Sequence, residues 1–518
     1  TWRPDENAVS IDIGEYNPIL GKSYNEISAS ARSMHKSQGF GVSPTRGEQF
    51  NHFNYFAGDT AQIDLFDGID LTWNRLSGAE KIEGKINHII SKYQFGNPEK
   101  IIPDLVKLYN EIESLKDKHW IEIKLHEIMD LIKICSGLWM ESNIWEPELS
   151  LGQSIDVRNV ILNRSNYPVT LEEIITTHSN KIESVNKKLE KNVPLSIKLP
   201  ITIPLNSEYS QPYWLKGEHD GKMFSYDISD NFFLAENEPE IKSIFTVRID
   251  GNLFDFKVPV KHKWNDAIEG EQSRPIVIRP DLSISVNRNN YVFPNGKSHL
   301  IKVDVTTRID LAKGRLFIDL PAGWYSDQKF HDFELVDKND LSTFAFKVSH
   351  DKNAKSGIAK IRAVMNDKSY NNKIVQIDYP HIEFQTVLKP VEIDLVKLDI
   401  SVELRRIGYI MGSGDLIPQS LEQLDYNIDL LEDKDLDQED LSKYDVIICG
   451  IRAFNTRENL ERQQKRLIDF VENGGIWIVQ HNTRFGLQAK QIGPYPFSTT
   501  GRDRIAEEDA PIEKLVPD

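Results

Sequence analysis

The spacing of the apolar residues changes along the chain, and this change limits the fold more than any other feature of the sequence. Apolar residues recur every three or four positions between residues 79 and 140 and every second position between about 147 and 398. From residue 399 onward, short apolar runs alternate with helical patterns. A helical period does not suit a strand, nor a strand period a helix. At 518 residues the chain is long enough for several cores. The sequence therefore predicts a multidomain α+β protein.

Composition and charge exclude several classes of function. Hydrophobic residues make up 39% and charged residues 27% of the chain, which is typical of folded domains. The net charge of −17 argues against nucleic acid or an anionic membrane surface as the main partner. No apolar run reaches the ~18 residues that a membrane helix needs, so we expect no membrane span. Cys135 and Cys449 lie inside apolar patterns of different predicted domains, which predicts neither a disulfide framework nor a metal site.

A helix that begins at Ser23 is the first strong local signal. Ser23 and Glu26 form a capping box, in which each side chain accepts from the backbone N–H of the other residue. Helix-forming residues follow until Gly39, a usual helix end. Spacings of three and four residues then place five side chains on one face of this helix, those of Ile27, Ala31, Met34, His35 and Gln38. From the residues alone, His35 and Gln38 either enter a core, where backbone groups satisfy them, or line a pocket.

Three short blocks in this region resemble a known family. They are SMHKSQGFG (Ser33–Gly41), TRG (Thr45–Gly47) and DLFDGIDLTWNRL (Asp64–Leu76). In this order they resemble the last part of the catalytic domain of large PIG-L/LmbE-type deacetylases, zinc-dependent enzymes that remove acetyl groups from N-acetylglucosamine-type substrates. The resemblance implies that residues 1–76 are the C-terminal remnant of that domain. It also implies an acetylated sugar or glycan as substrate and a periplasmic or secreted location. The substrate-pocket candidates are Arg32, His35, Gln38 and Arg46.

The chain departs from the family in its metal-binding signatures. The family carries an AHPDDE-like segment and a later His-rich segment upstream of this helix, and neither occurs here. Residue 1 is threonine rather than an initiator methionine. We therefore expect a fragment of a longer protein, in which zinc is the implied cofactor but its ligands and the catalytic residues lie outside this chain. Asp64, Asp67 and Asp70 lack the spacing and the closing glutamate of a calcium loop, which favours a solvated acidic loop.

The middle of the chain predicts a helical segment followed by two β-sandwiches. Residues 77–146 contain about three amphipathic helices, interpreted as a spacer packed on the deacetylase remnant. Alternating apolar residues then predict one sandwich over 147–274 and a second over 275–398. In the first, Ile155 to Leu162 predicts a pair of short strands, and the loop aromatics Tyr213 and Trp214 either stack on a sugar or plug the end of the sandwich. The second resembles the immunoglobulin-like modules of bacterial carbohydrate-active proteins.

Residues 399–518 predict a doubly wound, flavodoxin-like α/β domain. Strands are expected at 406–411, 428–431, 445–449 and 476–480, and helices at 417–424 and 460–473. This pattern resembles the class I glutamine amidotransferase-like fold at the C-terminus of the large deacetylases. That fold carries a nucleophilic cysteine on a sharp turn after a strand, but Cys449 lies inside its strand, and Ile451 or Arg452 takes the turn position. We therefore expect this domain to be inactive and truncated.

Two functions from different classes fit these patterns. The first is the accessory and pocket-closing part of a zinc-dependent de-N-acetylase. The alternative is a non-catalytic multidomain scaffold that binds carbohydrate or protein. Upstream sequence with an AHPDDE-type segment distinguishes the first from the second, and nothing in the composition fixes the oligomeric state.

Overall fold

The chain forms two compact units, each with cores of its own. The computed structural model describes residues 4–5, 7–225, 234–294, 296–400, 403, 405–438, 440–489, 492–493 and 495. The first unit contains the described residues up to Arg279 together with Val375–Val387, and the second contains those from Pro280 to Ile374 and from Leu388 onward. The predicted multidomain α+β architecture, rich in strands, is confirmed. Among the described residues, no helix has both the length and the apolar character required to cross a membrane.

The first unit combines four α-helices with a large sheet in its described residues. The helices are α1 (Tyr24–Ser33), α2 (Ile82–Lys92), α3 (Ile102–Glu113) and α4 (Lys118–Cys135). The first strands are β1 (Val9–Asp12), β2 (Tyr16–Asn17), β3 (Lys22–Ser23), β4 (Phe50–Phe53), β5 (Leu138–Ile144), β6 (Glu148–Leu149) and β7 (Ser154–Asn163). The remaining strands are β8 (Val169–Thr176), β9 (Ile182–Lys188), β10 (Leu195–Thr202), β11 (Lys242–Ile249), β12 (Asn252–Asp266), β13 (Gly270–Pro275) and β14 (Val277–Ile278). Four short 3₁₀ helices cover Lys36–Gln38, Trp73–Arg75, Pro98–Ile101 and Tyr213–Leu215.

Helices α2 to α4 share one hydrophobic core with the sheet. The sheet has the strand order β10-β7-β5-β12-β11-β8-β9, with β13 paired to β12. Buried residues of α3 and α4, such as Leu105 and Ile132, belong to the same core as Phe245 on β11 and Phe254 on β12. The three helices were predicted correctly, and their core includes residues of the sheet as well as Trp73 and Leu76 of the preceding segment, because amphipathic helices bury their apolar faces on neighbouring apolar surfaces.

A buried polar chain links residues of four strands of this sheet. The hydroxyl of Ser142 donates to Asn159 Oδ1 at 2.7 Å, and Asn159 Nδ2 donates to Thr176 Oγ1 at 3.5 Å. Thr176 Oγ1 in turn bonds Ser243 Oγ at 2.9 Å. Ile155 to Leu162 lie in one strand, β7, and do not form the predicted pair of short strands. The apolar alternation is interrupted at Asn159, which is polar. In the structure Asn159 nevertheless occupies an inward-facing, buried position, where its side chain is hydrogen-bonded.

The second unit begins with two sheets that face each other. One sheet contains β15 (Leu282–Val286), β17 (His299–Thr307), β21 (Leu341–His350) and β19 (Trp324–Ser326). The other contains β16 (Asn290–Pro294), β26 (Glu392–Leu398), β22 (Gly357–Met365), β18 (Ala312–Asp319), β20 (Phe330–Leu335) and β23 (Lys368–Tyr370). Two more strands, β24 (Asn372–Ile377) and β25 (Gln385–Pro390), lie where the chain passes from one unit to the other.

The two sheets bury one core, which contains Val303 and Phe346 from the first and Phe293 and Ile361 from the second. The alternating apolar residues of this region form strands, among them β15, β17 and β18. The turn before Trp324 anchors this indole, whose Nε1 donates to the carbonyl of Lys355 at 2.8 Å. Residues 375–387, which were assigned to this domain, belong to the first unit.

The second unit ends with a four-stranded parallel sheet covered on both faces. The strands are β27 (Arg406–Ile410), β28 (Asn427–Leu430), β29 (Val446–Cys449) and β30 (Ile476–Val479), in the order β28-β27-β29-β30. The α-helices are α5 (Ile417–Gln423), α6 (Asp433–Gln438), α7 (Ala453–Thr456) and α8 (Leu460–Glu472), and a 3₁₀ helix covers Leu441–Lys443. Leu467 on α8 packs on one face of the sheet, and Leu421 on α5 packs on the other. The predicted strands and helices are confirmed to within one residue or two; the predicted end of the domain lies largely outside the described residues.

Candidate functional site

The N-terminal motif brings the helix α1 against a returning loop. The capping box at Ser23 and Glu26 is confirmed, with the Ser23 hydroxyl accepting from Glu26 N at 3.2 Å and Glu26 Oε2 accepting from Ser23 N at 3.0 Å. Asp12 Oδ1 accepts from the backbone N–H groups of Gly14 and Gln49, both at 2.8 Å. A Cβ on Gly14 would lie 1.8 Å from the carbonyl oxygen of Gly47, so this close approach requires glycine.

The helix α1 is shorter than the sequence predicts. It ends at Ser33 rather than continuing to Gly39, and Lys36–Gln38 form a separate 3₁₀ turn. The Ser33 hydroxyl donates to the carbonyl of Ala29 at 2.8 Å and accepts from Val42 N at 3.2 Å. Serine hydroxyls that bond nearby backbone compete with helix continuation, which explains the early end.

This early end moves His35 and Gln38 off the predicted apolar face. Both side chains are exposed, and the prediction that they continue the stripe of Ile27 and Met34 is wrong. The His35 ring lies 6.1 Å from the Phe40 ring, centroid to centroid. Arg32 places its guanidinium 5.4 Å from the centroid of the same Phe40 ring. The structure thus brings Arg32 and His35 together around Phe40.

Arg46 is held apart from this pair by the capping box. Its Nε lies 2.7 Å from Glu26 Oε1. Glu26 has a lowered pKa, first because of the hydrogen bond from the Ser23 backbone and also because of Arg46. The neighbouring Thr45 bonds the amide of Asn25, so the Thr45-Arg46-Gly47 block is fastened to α1 at two points.

Large apolar side chains are exposed throughout this motif and the loop that follows it. Ile19 is 92% exposed and Phe56 is 97% exposed. The others are Tyr16, Leu20, Tyr24, Ile27, Met34, Phe40, Val42, Phe50, Phe53, Tyr55, Ile63, Leu65, Phe66, Ile69 and Leu71. We call this set the N-terminal apolar surface. Concentrations of exposed apolar groups occur at sites that bind proteins, membranes or ligands, so this set is a candidate binding surface.

The acidic loop bonds to itself. Asp67 Oδ2 accepts from Gln62 N and Ile63 N, and Asp70 Oδ1 accepts from the backbone and hydroxyl of Thr72. These hydrogen bonds lower the pKa of both carboxyl groups. Among the described residues, no group of three His, Cys, Asp or Glu side chains is arranged to hold a metal ion.

Tyr213 and Trp214 lie half-buried in a 3₁₀ turn rather than as an open platform. Their rings meet edge to face, with centroids 5.0 Å apart. Tyr213 N donates to Asn237 Oδ1 at 3.0 Å, and Asn237 Nδ2 donates to the carbonyl of Gln211 at 2.7 Å. The loop thus fixes the segment that carries Glu236, whose side chain shares a hydrogen bond with Glu383. Neither glutamate was identified from the sequence, because each is an isolated acid and only the fold brings them together.

The C-terminal domain has a sharp turn after β29. Arg452 adopts left-handed backbone angles (φ 58°, ψ 26°) between this strand and α7, and its N–H donates to the carbonyl of His481 at 2.7 Å. Such strained turns carry the nucleophile in enzymes with a strand–turn–helix elbow. Here the turn position belongs to an arginine, which is not a nucleophile. Asp415 accepts from the Tyr409 hydroxyl at 2.8 Å and fixes the neighbouring Gly412–Asp415 turn.

Cys449 is buried inside the sheet, as its apolar run predicts. Burial raises the pKa of its thiol to about 12. The Trp477 indole Nε1 lies 3.3 Å from the sulfur. A neutral, buried thiol is chemically inert, because the thiolate is the reactive form.

Comparisons with known proteins identify distant structural similarities. No family model matches the chain, and no curated protein matches it. The chain is similar to a protein of unknown function from Porphyromonas gingivalis W83, with TM-score 0.16 and 11% identity over 50% of this chain and 99% of that chain. It is also similar to a mutant alpha-2-macroglobulin of Salmonella (TM-score 0.18, 10% identity, 50% of this chain) and to the native alpha-2-macroglobulin of Escherichia coli (TM-score 0.18, 8% identity, 50% of this chain). The matched regions span 16% and 17% of those two chains. Similarities at this level carry no argument about fold or function.

Proposed function

We propose that this chain is the accessory and pocket-closing part of a zinc-dependent de-N-acetylase that acts on N-acetylglucosamine-type substrates. The proposal rests on the three sequence blocks between residues 33 and 76 that resemble the end of the PIG-L/LmbE catalytic domain. The observation that carries it is the N-terminal apolar surface, whose residues lie partly within the resembling blocks, as Met34, Phe40 and Leu65 do, and partly before and between them, as Ile19 and Phe56 do.

The energetics favour a covering domain. Each 100 Å² of apolar surface removed from water stabilises a fold or an interface by about 2.5 kcal/mol. Side chains as exposed as Ile19 and Phe56 gain none of this in the present chain. A catalytic domain that precedes residue 1 would cover them, as the resemblance implies. The exposed Arg32, His35 and Gln38 would then line the edge of its pocket, while the Arg46–Glu26 ion pair would position the loop.

The described residues do not supply the zinc site of this proposal. They hold no metal-ligating group of three side chains, so no catalytic step is assigned to them. In the family, zinc activates the water that attacks the acetamide. In this proposal the chain contributes one wall of the substrate pocket, and this wall contacts the acetylated sugar or glycan.

The same proposal includes a specific fold for each of two domains of the second unit. The two facing sheets between Leu282 and Leu398 support an immunoglobulin-like module. The strand order β28-β27-β29-β30 supports a flavodoxin-like, glutamine amidotransferase-like domain, because it places the first strand of the domain between the second and the third. Arg452 at the elbow and the buried Cys449 support its lack of amidotransferase activity.

The test compares this chain with the full product of the reading frame that encodes it. We expect the full product to bind one zinc and to release acetate from N-acetylglucosamine substrates, and residues 1–518 alone to do neither. A full product without bound zinc and without acetate release would overturn the proposal. It would favour the alternative, a non-catalytic scaffold that binds carbohydrate or protein.

A further inference from the structure

A cleft in the first unit contains two adjacent cavities. The smaller has a volume of about 290 Å³ and the larger about 850 Å³. Glu236, Pro275, Glu383 and Phe384 line both, so these residues form the boundary between them. Together the cavities are large enough for a small organic ligand.

The boundary carries a pair of carboxyl groups. Glu236 and Glu383 share a hydrogen bond, and this bond, followed by burial and by the charge of Glu383, raises the pKa of Glu236 to about 7. Near neutral pH Glu236 is therefore protonated in part of the molecules. Lys261 is the positive group whose charge opposes this shift.

Aromatic rings form the walls of the larger cavity. Trp264 is 39% exposed and stacks on His262 with centroids 5.3 Å apart and planes 16° apart. Tyr379 is 58% exposed and lies 5.9 Å from the His381 ring. Exposed aromatic rings beside carboxylates suit two parts of a ligand, an apolar face and a positive charge.

The other charged groups of the cleft leave an excess of negative charge. The remaining acids are Glu238, Glu240 and Asp378, and the bases, apart from the two histidines, are Lys261 and Arg274. Arg274 is engaged by Glu148 at 3.3 Å and by the Phe384 ring at 4.2 Å, and Glu238 by Lys242. Burial raises the pKa of Glu240. Asp378 and the Glu236–Glu383 pair therefore dominate the charge presented to a ligand.

The site is preorganised by hydrogen bonds behind it. Asn237, next to Glu236, is bonded to both the Tyr213 backbone and the Gln211 carbonyl. The Thr386 hydroxyl donates to the carbonyl of Ser210 at 2.7 Å, close to Glu383 in sequence. Segments fixed in this way lose little further freedom when a ligand binds.

We propose that this cleft binds a hydroxylated organic ammonium ion with the chemistry of an unacetylated amino sugar. The ammonium group binds beside the Glu236–Glu383 pair, where it can contact an oxygen of each side chain, and the apolar face of the sugar ring packs on Trp264 or Tyr379. The choice of an amino sugar rests on the proposed de-N-acetylase function, whose product is such an amine, whereas the requirement for positive charge rests on the cleft alone. Binding of the cation releases the proton that the carboxyl pair shares.

The experiment is isothermal titration of residues 1–518 with glucosamine, N-acetylglucosamine and glucose. We expect glucosamine to bind at least tenfold more tightly than the two neutral sugars, and to release protons in buffers of different ionisation enthalpy. Glu236→Gln and Glu383→Gln, tested separately, should each weaken binding by about ten- to a hundredfold, as expected for a lost charge-assisted bond. Glu122→Gln, an exposed acid on α4, is the matched control and should bind like the parent.

Each outcome decides the proposal. Equal binding of N-acetylglucosamine, or no binding of any of the three sugars by the folded chain, would overturn it. If one variant fails to fold, as judged by its melting curve, the other retains the test. Failure of the full product to release acetate would remove the proposed function but not the measured preference for the amine.

Discussion

Replacing Phe254 by alanine tests whether the helices and the sheet of the first unit form one cooperative structure. Phe254 lies on β12 and is 1% exposed. Its ring meets Tyr109 of α3 edge to face, with centroids 5.1 Å apart and planes 78° apart. The substitution therefore removes a contact between the helical layer and the sheet without changing the surface.

The expected cost follows from this burial. A buried Phe→Ala substitution lowers the free energy of unfolding by about 3–5 kcal/mol, because it loses transfer energy and leaves a cavity. The aromatic pair with Tyr109 accounts for about 0.5–1.5 kcal/mol beyond the area that it buries. For a unit of this size the total corresponds to a fall in melting temperature on the order of 10 °C.

The assay is denaturant and thermal unfolding followed by far-ultraviolet circular dichroism for helix and by tryptophan fluorescence. Leu253→Ala is the matched control, since Leu253 precedes Phe254 on the same strand, points to the other face and is 51% exposed. It should change the free energy of unfolding by less than about 0.5 kcal/mol. If Phe254→Ala left the helical signal as stable as in the parent chain, the helices would be an independent spacer and the shared core would be refuted.

Three further predictions concern single side chains. His35→Ala should change the free energy of unfolding by less than about 0.5 kcal/mol, because the side chain is exposed. The same substitution should slow acetate release by the full product about ten- to a hundredfold. Unchanged turnover would show that His35 does not line the substrate pocket. Cys449 should react with a thiol reagent only after unfolding, since burial raises its pKa to about 12, and rapid labelling of the folded chain coupled to glutaminase activity would contradict the inactive domain. Because the folded pKa of Glu236 (about 7) lies above its ordinary value (4.5), the unfolded chain loses this proton first, so stability should fall as pH rises from about 4.5 to about 7. A Glu236→Gln variant with the same pH dependence over that range would show that another group is responsible.

Local signals in the sequence predicted the elements whose residues interact with near neighbours. The capping box at Ser23, the helix of Leu460–Glu472 and the parallel strands of the C-terminal domain all follow from spacings of a few residues. The capping box and the helix are satisfied within their own elements, and the strands are marked by continuous apolar runs that suit a sheet covered on both faces, so tertiary packing agrees with each local pattern.

The features that sequence reasoning missed depend on contacts between distant residues. The continuity of β7 depends on Asn159, whose partners Ser142 and Thr176 come from other strands. The early end of α1 depends on Ser33, which bonds the returning loop at Val42. The Glu236–Glu383 pair likewise joins residues that no spacing rule connects.

The measurement that tests the proposed function most directly is footprinting of the N-terminal apolar surface. Hydroxyl-radical labelling of Ile19 and Phe56, which are 92% and 97% exposed, would be compared between residues 1–518 alone and the full product of the reading frame. Ile90, a 65% exposed residue on α2, serves as the internal reference. We predict strong labelling of Ile19 and Phe56 in the chain alone and protection of both in the full product, with Ile90 unchanged. Equal labelling of these two residues in both proteins would contradict the account, because no catalytic domain would then cover this surface.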